Sequence, residues 1–472
     1  MIGREYEKDM LAHILESKRP EFLVLYGRRR VGKTYLIKEF FKERFAFYAT
    51  GLTGEKTRGQ LKAFHKSLQD SGSEESVVPK DWFEAFSRLR SVLESPTVIR
   101  DSVSGKRVVF LDELPWMDTA RSDFKSALDY FWNTWGSTKN DLLLIVCGSA
   151  TSWIINNILA DTGGFYNRVT RQMYLRPFSL YECEKLFESN GMHLTRKQQM
   201  DSYMVFGGVP YYLNLLDERL SLAQNIDELL FRPDGQLFHE YDNLFYSLFK
   251  NAKNHVRVIH TLSEKKSGMT RVDIAVKTGI GDGAPLTRAL SELEQCGFIR
   301  KYKNVFTAKN GCFYQIIDPF VLFSQSFYEK KNMNSWSTFI HSSGYYAWAG
   351  NAFEILCLNH IREIKEALGI SGMVTHEFSW RSKEKKDGAQ IDLLIDRNDD
   401  VINICEMKYT NDQFVIDASY EKQLYHKMDV FRTESATKKA IVMTLVSANG
   451  LKQNKYSGVV GKMIEGDELF RP

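Results

Sequence analysis

Residues 22–34 read Phe-Leu-Val-Leu-Tyr-Gly-Arg-Arg-Arg-Val-Gly-Lys-Thr, an apolar run that ends in Gly27 and is followed by Gly32, Lys33 and Thr34. That order of residue types can hold the phosphates of a nucleotide. Glycines let successive backbone N–H groups turn inward around the β- and γ-phosphates, where a side chain would block the approach. Lys33 brings an ammonium to the β/γ oxygens, and the Thr34 hydroxyl takes one position on Mg²⁺. A second run, Arg107-Val108-Val109-Phe110-Leu111-Asp112-Glu113, ends in two carboxylates. Asp112 suits the Mg²⁺ shell, and Glu113 can orient and polarise an attacking water. A third run, Leu142 to Cys147, ends in Gly148-Ser149. The Ser149 hydroxyl can sense a γ-phosphate, although Gly-Ser after a strand is also ordinary turn chemistry.

For these groups to meet, each apolar run has to be a strand of one parallel sheet, because ligands gather at the carboxyl ends of such strands. The segment after Thr34 has to be a helix, with its positive dipole end on the anion and Tyr35, Ile37, Phe40 and Phe41 as its apolar contacts. The expected class is therefore α/β.

A second constellation lies near the other end of the chain. Gly350 to Leu356 predicts the start of a helix carrying Glu354, and Gln390 to Ile395 predicts a strand carrying Asp392. After the Asn398-Asp399-Asp400 turn, Val401 to Lys408 predicts another strand. Alternate residues of a strand share a face, so Glu406 and Lys408 project together and Asp392 can come beside them. Two carboxylates and a backbone carbonyl make a hard oxygen site for Mg²⁺ or Mn²⁺. A neighbouring lysine can position water and offset charge in a phosphoryl transition state.

The first half of the chain resembles the archaeal-type AAA+/STAND-like ATPase family, which also occurs in bacteria. The resemblance rests on the phosphate loop and on the opening Gly3-Arg4-Glu5-Tyr6-Glu7. It extends to Asn167-Arg168, Leu175-Arg176-Pro177-Phe178-Ser179 and Gly207-Gly208-Val209-Pro210-Tyr211-Tyr212. It implies ATP and Mg²⁺ as cofactors, Gly27, Gly32, Lys33, Thr34, Asp112 and Ser149 around the nucleotide, and Glu113 as the catalytic carboxylate. It also implies Pro210 in a helical lid against the base, and Arg168 as an arginine finger or sensor with Arg171 an equally placed rival. A turn between helices is an alternative for Gly207 to Pro210. Residues 345–472 resemble the PD-(D/E)XK nuclease superfamily. By that likeness Asp392 and Glu406 are metal ligands, Lys408 the catalytic lysine and Glu354 the helix glutamate. Gln423 takes the place of a glutamine on the next helix, without the Gln-x-x-x-Tyr form of some relatives. A cross-strand Glu–Lys pair on a solvated face is the plain alternative.

The chain has 472 residues, 43% hydrophobic and 26% charged, with a net charge of +4. That is ordinary globular composition for several domains. The six cysteines are scattered, with no Cys-x-x-Cys pair, which argues against a zinc site or disulfide framework and for a reducing cytoplasm. The N-terminus lacks a signal-peptide core, and no apolar run is long enough to span a bilayer, so no membrane association is expected. The expected division is a P-loop ATPase core at 1–178 and a helical lid at 179–250. A winged helix-turn-helix and linker follow at 251–335, then a nuclease-like domain at 336–472. In the third of these, helices at His255 to Leu262 and Arg271 to Lys277 precede a helix with the stripe Leu286, Leu290, Leu293, and then a hairpin from Gly297. Residues 254–303 hold nine Lys/Arg against five Asp/Glu, a net of +4 equal to that of the whole chain. The excess sits at Lys265, Lys266, Arg271, Lys277, Arg300, Lys301 and Lys303, which favours DNA phosphates. The outward face of the third helix mixes Thr287, Arg288, Ser291, Glu292 and Gln295, so a protein-docking module stays open.

Two functions follow as alternatives. One is an ATP-driven enzyme of DNA processing or defence that governs a metal nuclease. The other is a STAND-like switch with a C-terminal half that binds DNA or protein without cutting. DNA, a protein partner or further copies of the chain are the expected partners.

Overall fold

The computed structural model describes residues 1–472 except 43, 161–163, 166, 250, 304–311, 328–334, 341 and 383–387, and excludes the Lys303 side chain. The described chain packs as two compact units, Met1–Pro177 and Phe178–Pro472.

In the first unit, strands β1 (Glu21–Tyr26), β2 (Phe47–Thr50), β3 (Arg107–Asp112), β4 (Leu142–Gly148) and β5 (Arg171–Tyr174) form one sheet in the order β2-β3-β4-β1-β5. Every pairing is parallel. The continuous apolar runs of β1, β3 and β4 have the composition of strands covered on both faces. Alternation along each strand divides them between two cores. Phe22, Val24, Val109, Leu111, Leu144 and Val146 pack on one side with the helices Thr57–Asp70, Trp82–Glu94 and Phe124–Thr134. Leu23, Leu25, Val108, Phe110, Leu143 and Ile145 pack on the other with Glu5–Glu16 and Lys33–Phe41. The Lys33–Phe41 helix buries Leu36, Ile37 and Phe41. Tyr35, expected as an apolar contact, is exposed because it falls on the opposite side of that helix.

The second unit opens with helices, of which Leu180–Ser189 and Arg196–Phe206 are closed at their N-termini by reciprocal capping boxes at Ser179 and Thr195. The helices Lys253–Ser263, Arg271–Thr278 and Ala284–Gln295 follow. Beside them lies a small antiparallel sheet, β6 (Met269–Thr270), β7 (Ile299–Lys303) and β8 (Cys312–Ile316), in the order β6-β8-β7. The stripe Leu286, Leu290, Leu293 is buried, as its spacing predicts. The last sheet has the order β13-β12-β11-β10-β9. Its strands are β9 (Thr375–Arg381), β10 (Gln390–Arg397), β11 (Val401–Lys408), β12 (Ala440–Ser447) and β13 (Lys462–Glu465). β9, β10 and β11 pair antiparallel, whereas β11, β12 and β13 pair parallel. The long helix Ala418–Ser435 makes the crossover from β11 to β12 that a parallel pair requires. The helix carrying Glu354 spans Ser343–Asn359 and starts seven residues before the expected Gly350, because Ser342 caps it through the Tyr345 N–H. Among the described residues, no helix is long and apolar enough to cross a membrane.

One buried side chain makes the second unit sensitive to acid. His360, 1% exposed, accepts the Leu180 N–H at Nε2 (3.0 Å) and donates from Nδ1 to the Leu356 carbonyl (2.8 Å). The imidazole must be neutral to do both, and burial lowers its pKa below the ordinary 6.5. As pH falls below 6.5 the unfolded chain takes this proton before the folded one, so stability is full above that pH and erodes below it. The erosion reaches at most about 1.4 kcal/mol per pH unit from this group. A His360→Leu variant should lose this part of the slope of Tm between pH 7.5 and 5. It should also be less stable at pH 7.5 by about 1–3 kcal/mol, because the Leu180 N–H loses its acceptor.

Candidate active site

The phosphate loop joins β1 to the Lys33–Phe41 helix. Gly27 has φ 144°, and a Cβ there would lie 2.4 Å from the Leu175 carbonyl oxygen, so only glycine permits the loop to pass the end of β5. Gly32 caps the helix in the left-handed conformation. Lys33 is 5% exposed, and its ammonium donates to the Gly27 and Arg28 carbonyls at 3.0 and 2.9 Å. It is thus held across the mouth of the loop. Arg4 lies in the left-handed region, is buried, and donates to the Val31 carbonyl at 3.0 Å, which ties the Gly-Arg-Glu opening to this loop.

Strand order brings the other groups in. The Thr34 hydroxyl donates to Asp112 Oδ2 at 2.8 Å. Asp112 is buried, which raises its pKa, and the Thr34 hydrogen bond acts against that rise. A hydroxyl and a carboxylate in contact, on the helix that follows the loop and at the end of β3 one strand removed from β1, are a donor set that fits Mg²⁺. Glu113 takes up the left-handed conformation, and its carboxylate accepts the Ser149 hydroxyl (2.6 Å) and the Ser149 N–H (3.2 Å). The geometry therefore gathers Gly27, Gly32, Lys33, Thr34, Asp112, Glu113 and Ser149 at one end of the sheet.

Residues 1–216 match the family model described as an ATPase domain predominantly from Archaea. The first 216 residues carry an archaeal-type ATPase domain. An uncharacterized protein of Methanocaldococcus jannaschii is 24% identical over 330 residues, which are 68% of this chain and 67% of that protein. Among solved structures, a Walker-type ATPase of Pyrococcus abyssi is similar at 18% identity and a TM-score of 0.48, over 69% of this chain and 96% of that one. The Orc2 protein of Aeropyrum pernix, in its ADPNP–ADP complexes, is similar at 13% identity and a TM-score of 0.44, over 68% and 92%. A STAND protein with a tetratricopeptide repeat sensor, from Pyrococcus horikoshii, is similar at 16% identity and a TM-score of 0.31, over 78% and 55%.

Two further groups expected of the ATPase domain lie away from its loop in sequence. Arg168 is exposed, its N–H bonded to the Phe165 carbonyl at 3.0 Å. Arg171 begins β5 and donates to the neighbouring Thr170 carbonyl. Pro210 belongs to the second unit and opens the short helix Pro210–Leu213. Just before it, Gly208 has φ 65°, and a Cβ there would lie 2.2 Å from the Phe178 carbonyl oxygen, so the turn itself demands this glycine.

In the C-terminal sheet, Leu393 pairs with Cys405, so Asp392 and Glu406 are the next positions of the same antiparallel ladder. Glu406 is 13% exposed and densely held. Lys408 lies 2.9 Å from Oε1, Lys427 lies 2.5 Å from Oε2, and the Tyr420 hydroxyl donates to Oε1 at 2.7 Å. Burial alone would raise the pKa of Glu406, but Lys427, Lys408 and the Tyr420 hydrogen bond outweigh it and bring it to about 2. Glu354 responds the other way. Burial, then the charges of Asp392 and Glu406, push it up to about 7. Asp392 Oδ1 accepts the Gln390 amide at 2.7 Å.

Glu354, Asp392 and Glu406 feel one another's charge, yet among the described residues no three His, Cys, Asp or Glu side chains group as ligands of one metal ion. Glu406 faces the ammonium groups of Lys408 and Lys427, and Asp392 faces the Gln390 amide. Gln423 is exposed, while Tyr420, Leu424 and Lys427 form the inward stripe of its helix. Lys427 and Tyr420 are the groups that the sequence did not single out. The only signal for them was their i, i+7 spacing on the helix after Glu406-x-Lys408.

A partly buried polar cluster adjoins this strand. Tyr409, the residue after Lys408, donates to Asp201, receives Lys197 at 2.7 Å, and lies 3.1 Å from the Tyr345 hydroxyl. Asp201 and Lys197 belong to the Arg196–Phe206 helix, which leads into the Gly207-Gly208 turn.

The basic cluster is less open than its composition implied. Arg271 pairs with Asp282 and Lys277 with Glu264. Lys266 donates to the Ala347 carbonyl, and Arg300 is held by Gln315 and Ser379. Lys265 and Lys301 are exposed, and the Lys303 side chain lies outside the described residues. Glu292, expected on the outward face, turns inward instead. It meets His255 at 2.7 Å, and the imidazole is stacked on Phe249. Thr287, Arg288, Ser291 and Glu294 are exposed on the third helix, and Arg288 lies 3.7 Å from Glu292 Oε1.

Proposed function

We propose that this chain hydrolyses ATP at the Lys33 loop and uses its nucleotide state to govern a C-terminal site that acts on DNA. The single observation that carries the reading is the Thr34 hydroxyl on Asp112, 2.8 Å away, with Glu113 next in sequence. Bound Mg²⁺ would offset the charge of the phosphates. Thr34 and Asp112 would hold it, the Lys33 ammonium would serve the β/γ oxygens, and Glu113 would orient the water. Arg168, exposed ahead of β5, and Arg171, at its start, are the rival candidates for an arginine finger or sensor. Release of phosphate from ATP by the purified chain, dependent on Mg²⁺ and abolished by a chelator, is the expected result. Absence of release under any nucleotide and metal condition would defeat the reading.

For the second unit, the three-helix segment and β6–β8 support a winged helix-turn-helix, and the β9–β13 sheet with Asp392, Glu406 and Lys408 supports a PD-(D/E)XK nuclease-like domain. The Tyr409–Asp201 cluster favours communication between the Arg196–Phe206 helix and the strand that carries Glu406. Lys301→Ala should weaken DNA binding and reduce the slope of log K against log salt by about one counterion, which titrations at several salt concentrations will measure. An unchanged slope favours protein docking. A non-cleaving switch is supported as a second reading by one observation, the neutralisation of Glu406 by both Lys408 and Lys427.

A further inference from the structure

We propose that Arg300 is a positioning residue for Asp392, acting through the Ser379 hydroxyl on a kink in β10, so that the strand read as a wing sets the aim of the carboxylate in the C-terminal site. The inference rests on the reading of Asp392 as part of a site that acts on DNA.

Asp392 does not sit in a regular ladder. Ile391 pairs with Trp380 and Leu394 with Phe378, so Asp392 and Leu393 together stand opposite Ser379. That is a β-bulge, which bends its strand and re-aims the side chains it carries. It also interrupts the ladder, and a side chain fills the gap: the Ser379 hydroxyl donates to the Asp392 carbonyl. On its other edge β10 keeps an even register with β11, from Leu393 on Cys405 to Asp396 on Ile402. The kink is therefore held from the β9 side.

Ser379 is buried, and the group that orients it comes from β7. The Arg300 guanidinium donates to the Ser379 oxygen at 2.9 Å and, from Nε, to Gln315 Oε1 at 2.8 Å. Gln315, on β8, is buried as well and donates to the Lys266 carbonyl at 2.8 Å. The planar fork of the arginine is thus fixed at two points, which the single ammonium of a lysine does not reproduce. A guanidinium has only donors, and a serine hydroxyl has one hydrogen. With Arg300 donating to its oxygen, Ser379 spends that hydrogen on the Asp392 carbonyl. A second tie runs in parallel. The Tyr302 hydroxyl and the Arg381 guanidinium both donate to the Ser267 carbonyl, at 2.6 and 2.8 Å, which joins β7 to β9. A small pocket at this junction is lined by Tyr302, Ser379, Gln390 and Asp392. Arg300 and Tyr302 share one face of β7, and the exposed Lys301 projects from the other. A strand that meets DNA phosphate through Lys301 thereby holds Asp392 from its opposite face.

The test uses the full chain with plasmid and Mn²⁺ and compares the parent with Arg300→Ala, Arg300→Lys, Ser379→Ala, Ser379→Thr and the Arg300→Ala/Ser379→Ala pair. Initial rates against DNA concentration give kcat and KM, and melting curves report folding. Amide hydrogen exchange at residues 390–395, followed by mass spectrometry, reports the bulge independently of cutting. Arg300→Ala should lower kcat by roughly 10- to 100-fold while KM changes by less than about threefold, because the carboxylate is misplaced and DNA binding is not. It should also speed exchange at 390–395 by at least roughly fivefold. Arg300→Lys should recover little of either, since charge alone does not hold Ser379. Ser379→Ala should match Arg300→Ala, and Ser379→Thr, which keeps the hydroxyl, should restore most of kcat. On the Ser379→Ala background, Arg300→Ala should cost less than about twofold more, since the group it acts through is already gone. Should Arg300→Ala fail to fold, Arg300→Met keeps an apolar stem beside Tyr302 without the donors and takes its place. An equal fold-loss on both backgrounds, or a loss carried by KM, would overturn the proposal, because Arg300 would then act on its own or on DNA directly. A parent that does not cut would refute the nuclease reading instead. Even then, exchange at 390–395 left unchanged by Arg300→Ala would overturn the positioning role.

Discussion

A Lys33→Ala chain should bind ATP at least roughly 100-fold more weakly than the parent, as measured by equilibrium titration with a fluorescent nucleotide. The loop would lose the Lys33 ammonium held at its mouth, and the polarity of its peptide groups cannot replace a full charge on the β/γ oxygens. The Gly27 and Arg28 carbonyls would also lose their donor, so a modest fall in melting temperature should accompany the change. Glu113→Gln should behave differently. The amide keeps the size of the carboxylate and can still accept the Ser149 hydroxyl, so ATP should bind nearly as before. Hydrolysis should fall by about 10²- to 10⁴-fold, because the amide cannot take the proton of the attacking water. Hydrolysis by Glu113→Gln at the parental rate would show that this carboxylate does not address water.

The second large effect is expected at the C-terminal sheet. Plasmid incubated with the parent and Mn²⁺ or Mg²⁺, with and without ATP, should be cut, and Asp392→Ala should abolish the cutting while ATP hydrolysis persists. Asp392 is the cleaner position to test because its own partner is a neutral amide. Glu406→Ala should also abolish cutting, but it strips Lys408 and Lys427 of their shared counter-charge, at a cost on the order of 3 kcal/mol of stability. Its loss of activity is therefore interpretable only beside its melting curve. Lys408→Ala should lower the rate and spare Mn²⁺ binding measured on the protein directly, since its charge matters most in the transition state. Cutting that survives Asp392→Ala would remove this constellation from the chemistry. A parent that binds DNA without cutting it would favour the switch, with the two lysines as a phosphate-holding pair.

Much of the nucleotide site was legible in the sequence because it is built from contiguous segments. Gly27 to Thr34 has only one useful way to turn, and the apolar runs before Gly27, Asp112 and Gly148 announce buried strands that deliver polar residues at their ends. The leucine stripe at 286, 290 and 293 was legible for the same reason, since helical spacing alone places those residues on one face. The contacts between segments were not legible. Nothing in the order of the chain says that β4 enters between β1 and β3, yet that insertion puts Ser149 on Glu113. The same holds for Glu406, whose three partners arrive from its own strand and from the helix Ala418–Ser435.

Charge was the least reliable guide. Composition counted Arg271, Lys277, Lys266 and Arg300 toward a DNA surface, whereas packing gives each of them a partner within the chain. It counted Glu292 against that surface, whereas packing turns it to His255. The sequence by itself determined which chemistry was available: a phosphate loop, an acidic strand end and a Glu-x-Lys strand. Those depend on backbone geometry over a few residues, which local residue types control. The tertiary structure decided which of those groups touch, because strand order and helix phase are settled by the burial of whole apolar faces rather than by the polar residues carried at their ends.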